Sequence, residues 1–136
     1  MKTSVLFLCT GNSCRSQMAE GLLQHLAGGQ YEVASAGTNP VGLNPGAVEV
    51  MREIGIDISQ QKSKNVQDFQ GARFDYVITV CDRAKESCPT FPGIPTLHWS
   101  FDDPAAAVGS MEERLIQFRR VRDEIAGKIK QFIDRT

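Results

Sequence analysis

TSVLFLCTGNSCRSQMAEGLLQHLAGG, residues 3–29, decides the fold. Residues 3–8 are β-branched and apolar and read as a buried strand. Glycine and polar residues fill 9–14. A helix begins near Ser16, sets Met18, Leu22, Leu23 and Leu26 at helical spacing, and stops at Gly28-Gly29. Outward from this unit the same alternation continues. Tyr31 to Ala36 is a short strand. Asn44-Pro45 starts a helix, with proline at its first position, and Ala47, Val48, Met51 and Ile54 form its apolar face up to Gly55. The polar stretch 57–74 carries a short helix around 62–70. Residues 75–80 are a strand and 95–99 a weaker one. A long amphipathic helix runs from Met111 to the end, with Leu115, Phe118, Val121, Ile125, Ile129 and Phe132 facing inward. Alternating strands and helices give an α/β fold: one domain over 1–136, a four-stranded, mostly parallel sheet, and helices on both faces. Ligands of such sheets bind at the carboxyl ends of the strands, so the turn after the first strand is the place to look.

Composition narrows the partners. The 136 residues are 41% hydrophobic and 23% charged, with 15 basic and 16 acidic side chains for a net charge of −1. Nucleic acid and acidic membrane surfaces call for a basic excess, and none exists here. No apolar run reaches the roughly 20 residues of a membrane span. The opening apolar stretch Val5–Leu8 is too short for a signal-peptide core, so the chain is read as cytoplasmic. Four cysteines in that setting point to chemistry rather than a disulfide framework. Nothing calls for an assembly, and a monomer is expected.

The turn reads Cys9-Thr10-Gly11-Asn12-Ser13-Cys14-Arg15-Ser16. Backbone N–H groups curling into a helix N-terminus make an anion site. The planar Arg15 fork matches two oxygens of a tetrahedral oxyanion. Cys9 sits beneath that anion, in a field expected to lower a thiol pKa and yield a nucleophilic thiolate. Ser16 is placed to donate a hydrogen bond to it, and Asn12, which tolerates left-handed backbone, to brace the loop. Cys14 has no assigned reaction beyond its place in the loop. The bland alternative is a core cysteine and a surface arginine, which the combination of strand, Cys, five residues, Arg-Ser and helix argues against.

Cys9 to Ser16, followed by Gln17-Met18-Ala19-Glu20-Gly21, resembles the phosphate-binding loop of the low-molecular-weight protein tyrosine phosphatases. More closely, it resembles the arsenate reductases built on that fold. The likeness extends through Ser35-Ala36-Gly37, Asn44-Pro45, Gly55–Ser59, Phe101-Asp102-Asp103-Pro104 and Phe118–Ile125. It implies a general acid directly before the proline, hence Asp103 rather than Asp102. Pro104 biases that residue toward extended backbone. The phosphatases usually carry a tyrosine after the Asp-Pro; this chain has Ala105.

Cys81 follows the 75–80 strand and Cys88 comes seven residues later. If 82–88 were helical, their Cα atoms would start roughly 10 Å apart along the axis. A disulfide needs about 7 Å or less, so pairing requires that segment to loop out. By themselves they read equally as unrelated thiols; a zinc site is weakened by the lack of a CxxC pair. The resemblance implies more: Cys9, Cys81 and Cys88 match the nucleophile and redox pair of thioredoxin-coupled arsenate reductases. It implies arsenate as substrate, reduced thioredoxin as electron donor and no bound cofactor; a tyrosine phosphatase is the alternative. Some family members hold potassium with an Asn, a Glu, a Ser and an acidic residue. Asn12, Glu20 and Ser35 fit, but the acidic position is Lys64, so no metal is expected and the Lys64 ammonium is expected in that region. His25 and His98 read as polar surface or hydrogen-bonded core, Trp99 as packing, and Arg119, Arg120 and Arg122 as a solvated helix face.

Overall fold

The computed structural model describes residues 2–81, 91 and 93–135. Strands β1 (Thr3–Cys9), β2 (Tyr31–Gly37), β3 (Tyr76–Thr79) and β4 (Thr96–His98) form one sheet in the order β2-β1-β3-β4. Every pairing is parallel, with Thr3 opposite Tyr31, Val5 opposite Tyr76 and Val77 opposite Thr96. Val5, Leu6, Phe7 and Leu8 are all fully buried. Four consecutive buried side chains point to alternate faces, so both faces of the sheet are covered at β1.

Among the described residues the helices are α1 (Arg15–Ala27), α2 (Pro45–Glu53) and α3 (Met111–Arg135). Their ends follow from local chemistry. Asn44 Oδ1 accepts from Gly46 N at 2.8 Å and caps α2, while Gly55, at φ +81°, closes it. Before α3, Ser110 Oγ accepts from Glu113 N at 3.1 Å and Glu113 Oε1 accepts from Ser110 N at 3.2 Å. That reciprocal pair is a capping box. The stretch expected as a helix around 62–70 is only a 3-10 turn, Val66–Phe69, capped by Asn65. Trp99 packs as expected, its ring 5.9 Å from Phe7 and 5.8 Å from Phe132. His25 is exposed, and the His98 ring nitrogen Nδ1 lies 2.7 Å from Thr79 Oγ1.

Arg122 departs from the sequence expectation. It does not lie on a solvated face but is buried among Phe118, Val121 and Ile125. Its Nη1 donates to Val50 O at 2.8 Å and Glu53 Oε1 at 3.1 Å, and its Nε to Asp123. Arg119 grips the same Glu53 carboxylate through two nitrogens, at 2.7–3.1 Å. Two guanidiniums thus fasten α3 to the end of α2, and they hold the Glu53 carboxyl below the usual carboxylate range.

Candidate active site

The chain leaves β1 at Cys9, forms β2 on one side, then crosses to β3 on the other. The carboxyl end of β1 is therefore the switch point of the sheet. Cys9 ends β1 and Cys81 follows β3, and both are buried there. They line a cleft of about 590 Å3 together with Thr10, Gly11, Ser13, Cys14, Arg15, Phe101, Asp102 and Asp103.

The loop between β1 and α1 is held from outside by its carbonyls. Thr10 O accepts from Asn39 N at 2.8 Å, Gly11 O from Val41 N at 3.0 Å and Ser13 O from Asn44 N at 3.0 Å. Asn12 O accepts from Ser63 Oγ at 2.6 Å. Asn12 itself is left-handed, at φ 47°, the one described residue other than glycine with that geometry. With the carbonyls drawn outward, the N–H groups of Gly11 to Arg15 find no acceptor among the described residues. Such a ring of unpaired donors at a helix start is an anion cradle. β2 closes on it tightly: a Cβ at Gly37 would lie 2.5 Å from Thr10 O and 2.9 Å from Asn12 N, so only glycine fits.

Asn12 braces the loop as expected. Its Nδ2 donates to Ser16 Oγ and Ser35 Oγ, both at 2.9 Å, and its Oδ1 accepts from Lys64 N at 2.8 Å. Ser16 is thereby engaged with Asn12; the expected Ser16–Cys9 bond is absent among the described residues. Beyond Ser35, the Glu20 carboxylate accepts from its hydroxyl at 2.5 Å, and Lys64 Nζ stands 3.8 Å from Glu20 Oε1. The ammonium thus occupies the region expected from the sequence.

Arg15 is mostly buried. Its Nη1 donates to Phe101 O at 3.0 Å and its Nη2 lies 3.8 Å from Asp103 Oδ2. Its Nε is buried without a partner among the described residues. An unpaired guanidinium N–H beside a ring of free backbone donors suits a multi-oxygen anion. Asp103 is extended, at φ −82° and ψ 107°, and caps the 3-10 turn Pro104–Ala106 by accepting from Ala105 N at 3.0 Å. Asp102 instead turns to α3 and pairs with Arg120 at 3.0 Å. Of the two carboxylates, only Asp103 faces Arg15.

The thiols differ from the expectation drawn from the loop alone. Cys9 is not lowered; its thiol is pushed well up, first by a side-chain hydrogen bond with Cys81 and then by burial. The Arg15 charge and the Thr10 N–H pull the other way and do not prevail. Burial pushes Cys14 up to about 11, which keeps it a thiol. Thr10 Oγ1 lies 3.4 Å from Cys81 Sγ. Cys88 lies outside the described residues, as does the segment expected to move with it.

The family profile described as low molecular weight phosphotyrosine protein phosphatase matches residues 4–136. The chain belongs to this family. Within it, the chain is 50% identical over 134 residues to an arsenate reductase of Shouchella clausii, covering 98% of this chain and 96% of that protein. A solved arsenate reductase in the phosphate binding state superposes with a TM-score of 0.82, at 33% identity, covering 99% of this chain and 98% of the other. The thioredoxin-dependent arsenate reductase of Corynebacterium glutamicum superposes with a TM-score of 0.77 at 32% identity, covering 98% of this chain and 61% of the other. The chain thus shares family and fold with proteins described under two activities, phosphotyrosine phosphatase and arsenate reductase.

Several residues that shape the site escaped the sequence reading. Ser63, Asn39 and Val41 hold loop carbonyls from segments distant in sequence, which no local pattern announces. Gln17 carried a faint signal: an amide one helical turn before Gly21.

Proposed function

We propose that this protein reduces arsenate to arsenite through Cys9, Cys81 and Cys88, acting as a monomer and regenerated by reduced thioredoxin. The observation that carries the reading is a second thiol, Cys81, lining the same cleft as the loop thiol Cys9, Arg15 and Asp103. Hydrolysis of a phosphate ester has no use for that second thiol, whereas reduction needs one. The likeness to arsenate reductases at 50% identity supports the substrate, and the thioredoxin-dependent C. glutamicum enzyme supports the electron donor.

Arsenate docks against the loop N–H groups of Gly11, Asn12, Ser13, Cys14 and Arg15 and the Arg15 guanidinium, with Thr10 and Ser16 flanking them. Cys9 gives its proton to the incoming dianion and attacks arsenic. Asp103 protonates the departing oxygen, which leaves as water. Cys81 then attacks the Cys9 sulfur. The sulfur–arsenic bond breaks and its electron pair goes to arsenic, which leaves as arsenite, trivalent. The Cys9–Cys81 disulfide that remains is attacked by Cys88, freeing Cys9 and leaving Cys81–Cys88 for thioredoxin. Two electrons enter from the thioredoxin dithiol and two leave on arsenic. Phosphate shares the charge and shape of arsenate, so selectivity rests on the chemistry: a thiol reduces arsenic and cannot reduce phosphorus.

The test is arsenate-dependent NADPH oxidation with thioredoxin and thioredoxin reductase, beside hydrolysis of an aryl phosphate. Robust oxidation is expected, and Cys88→Ser should give about one turnover and stall as a Cys9–Cys81 disulfide. Brisk phosphate hydrolysis with no oxidation would make the protein a phosphatase, and sustained turnover by Cys88→Ser would remove Cys88 from the relay.

A further inference from the structure

Asn12 turns its carbonyl away from the cleft because its backbone is left-handed, and a second side chain besides Ser63 meets that carbonyl. Gln17, in the first turn of α1, is fully buried. Its Nε2 lies 3.0 Å from Asn12 O, 3.1 Å from Asn12 Oδ1 and 2.9 Å from Lys62 O. Three acceptors thus surround two hydrogens. Its Oε1 accepts from Gln61 Nε2 at 2.7 Å, and the same Nε2 reaches Gln17 O at 3.0 Å. The Gln61 donor on one side fixes the direction of the Gln17 amide, so that its own N–H groups face Asn12.

Tight packing makes this contact possible. A Cβ at Gly21 would lie 2.6 Å from Ile58 Cγ2 and 3.4 Å from Gln61 Oε1. Only glycine at 21 lets α1 approach the 58–61 turn closely enough for the two glutamines to meet. None of the steps of the proposed reaction uses either glutamine.

We propose that Gln17 is a positioning residue for the anion loop: its amide holds Asn12 left-handed, and so sets the N–H groups that follow Asn12 onto the bound oxyanion. The inference rests on the anion-binding part of the functional reading alone. A merely structural role, tying α1 to residues 61–64, would change stability and leave anion binding as it was.

The experiment measures inorganic phosphate binding by calorimetry, arsenate KM and kcat in the coupled assay, and the thermal midpoint. The variants are Gln17→Met, Gln61→Met and Gln17→Glu. Gln17→Met keeps the length and loses the donors; phosphate Kd is expected to rise roughly tenfold, and arsenate KM with it, while kcat changes less than about twofold. Gln61→Met, at a half-buried site, should show the same split more weakly and keeps the test decisive if Gln17→Met does not fold. Gln17→Glu sets a carboxylate against three oxygens, so its phosphate binding should recover relative to wild type as pH falls and the carboxyl gains a hydrogen. A lowered midpoint with unchanged phosphate binding in the folded variants would overturn the proposal. Phosphate binding needs no reductant, so a protein that bound phosphate through Gln17 yet failed to reduce arsenate would sink the proposed activity and not this role.

Discussion

Cys9 and Cys81 stand at the ends of neighbouring strands and line one cleft, where a hydrogen bond donated by the Cys9 thiol to Cys81 strengthens the hold of Cys9 on its proton. Both thiols thus stand in the cleft before any substrate arrives. Removing Cys81 takes away the largest cause of the upward shift, leaving the Arg15 charge and the Thr10 N–H to act against burial alone. Cys81→Ala should therefore make Cys9 react faster with iodoacetamide near neutral pH, as followed by mass spectrometry of the Cys9 peptide. An equal or slower rate would show that Cys81 does not restrain the nucleophile.

Asp103 and Asp102 are neighbours with opposite duties. Asp103 faces Arg15 at 3.8 Å, and Asp102 pairs with Arg120 on α3. Asp103→Asn should slow the arsenic step by about 10²–10⁴-fold, the usual worth of a positioned acid, and leave thiol exchange with thioredoxin intact. Asp102→Asn should stay close to wild type in single-turnover arsenite release. Equal losses in the two variants would take the acid role away from Asp103.

Lys64 and Glu20 make two expectations, one for salt and one for pH. With the ammonium 3.8 Å from Glu20 Oε1, exchanging sodium for potassium chloride should leave turnover and thermal midpoint unchanged. A clear potassium stimulation would contradict that placement. Burial holds the Glu20 carboxyl above its ordinary 4.5, with the Ser35 hydroxyl and then Lys64 pulling it back. A carboxyl raised by folding favours the fold while protonated, so its contribution is lost as pH climbs from about 4.5 through the folded value. The stability of Glu20→Gln relative to wild type should therefore grow from the acid side toward neutrality in urea titrations.

Arg122 should be expensive to remove. Truncation to alanine leaves Val50 O without its buried guanidinium partner and frees one grip on Glu53. A loss of about 2–3 kcal/mol is expected in urea unfolding, with arsenate kinetics unchanged in the folded fraction. A change under about 0.5 kcal/mol would return Arg122 to the class of ordinary surface residues.

The legible parts of this molecule are those written in consecutive residues. The run Val5–Leu8 reads as a strand covered on both faces because nothing polar interrupts it, and the loop from Cys9 to Ser16 follows from a thiol, a glycine, a guanidinium and a helix start. The choice of Asp103 over Asp102 as the acid rests on family likeness; the structure sets Asp103 beside Arg15 and Asp102 beside Arg120. Arg122 was misread although its position carried the signal. It stands at the shared spacing of Leu115, Phe118, Ile125, Ile129 and Phe132, and its charge hid its place in the apolar stripe. The upward shift at Cys9 was illegible for another reason: it depends on β3 lying beside β1, a pairing across 72 residues, from position 9 to position 81. The grip of residues 39–44 and 61–64 on the loop is likewise tertiary.

The order β2-β1-β3-β4 also has a consequence for biosynthesis. The strand made first lies inside the sheet, and its second neighbour is made much later. At roughly 5–20 residues per second, a ribosome takes several seconds to travel from Cys9 to Cys81. Through that interval the nascent Cys9 lacks the thiol that will hold its proton, the 61–64 segment that will steady its loop for most of the time, and the Asp103 turn throughout. The chemistry encoded near the start of the chain is thus assembled only when its later residues emerge, so a chain cut short before β3 carries the loop sequence without the reactive centre.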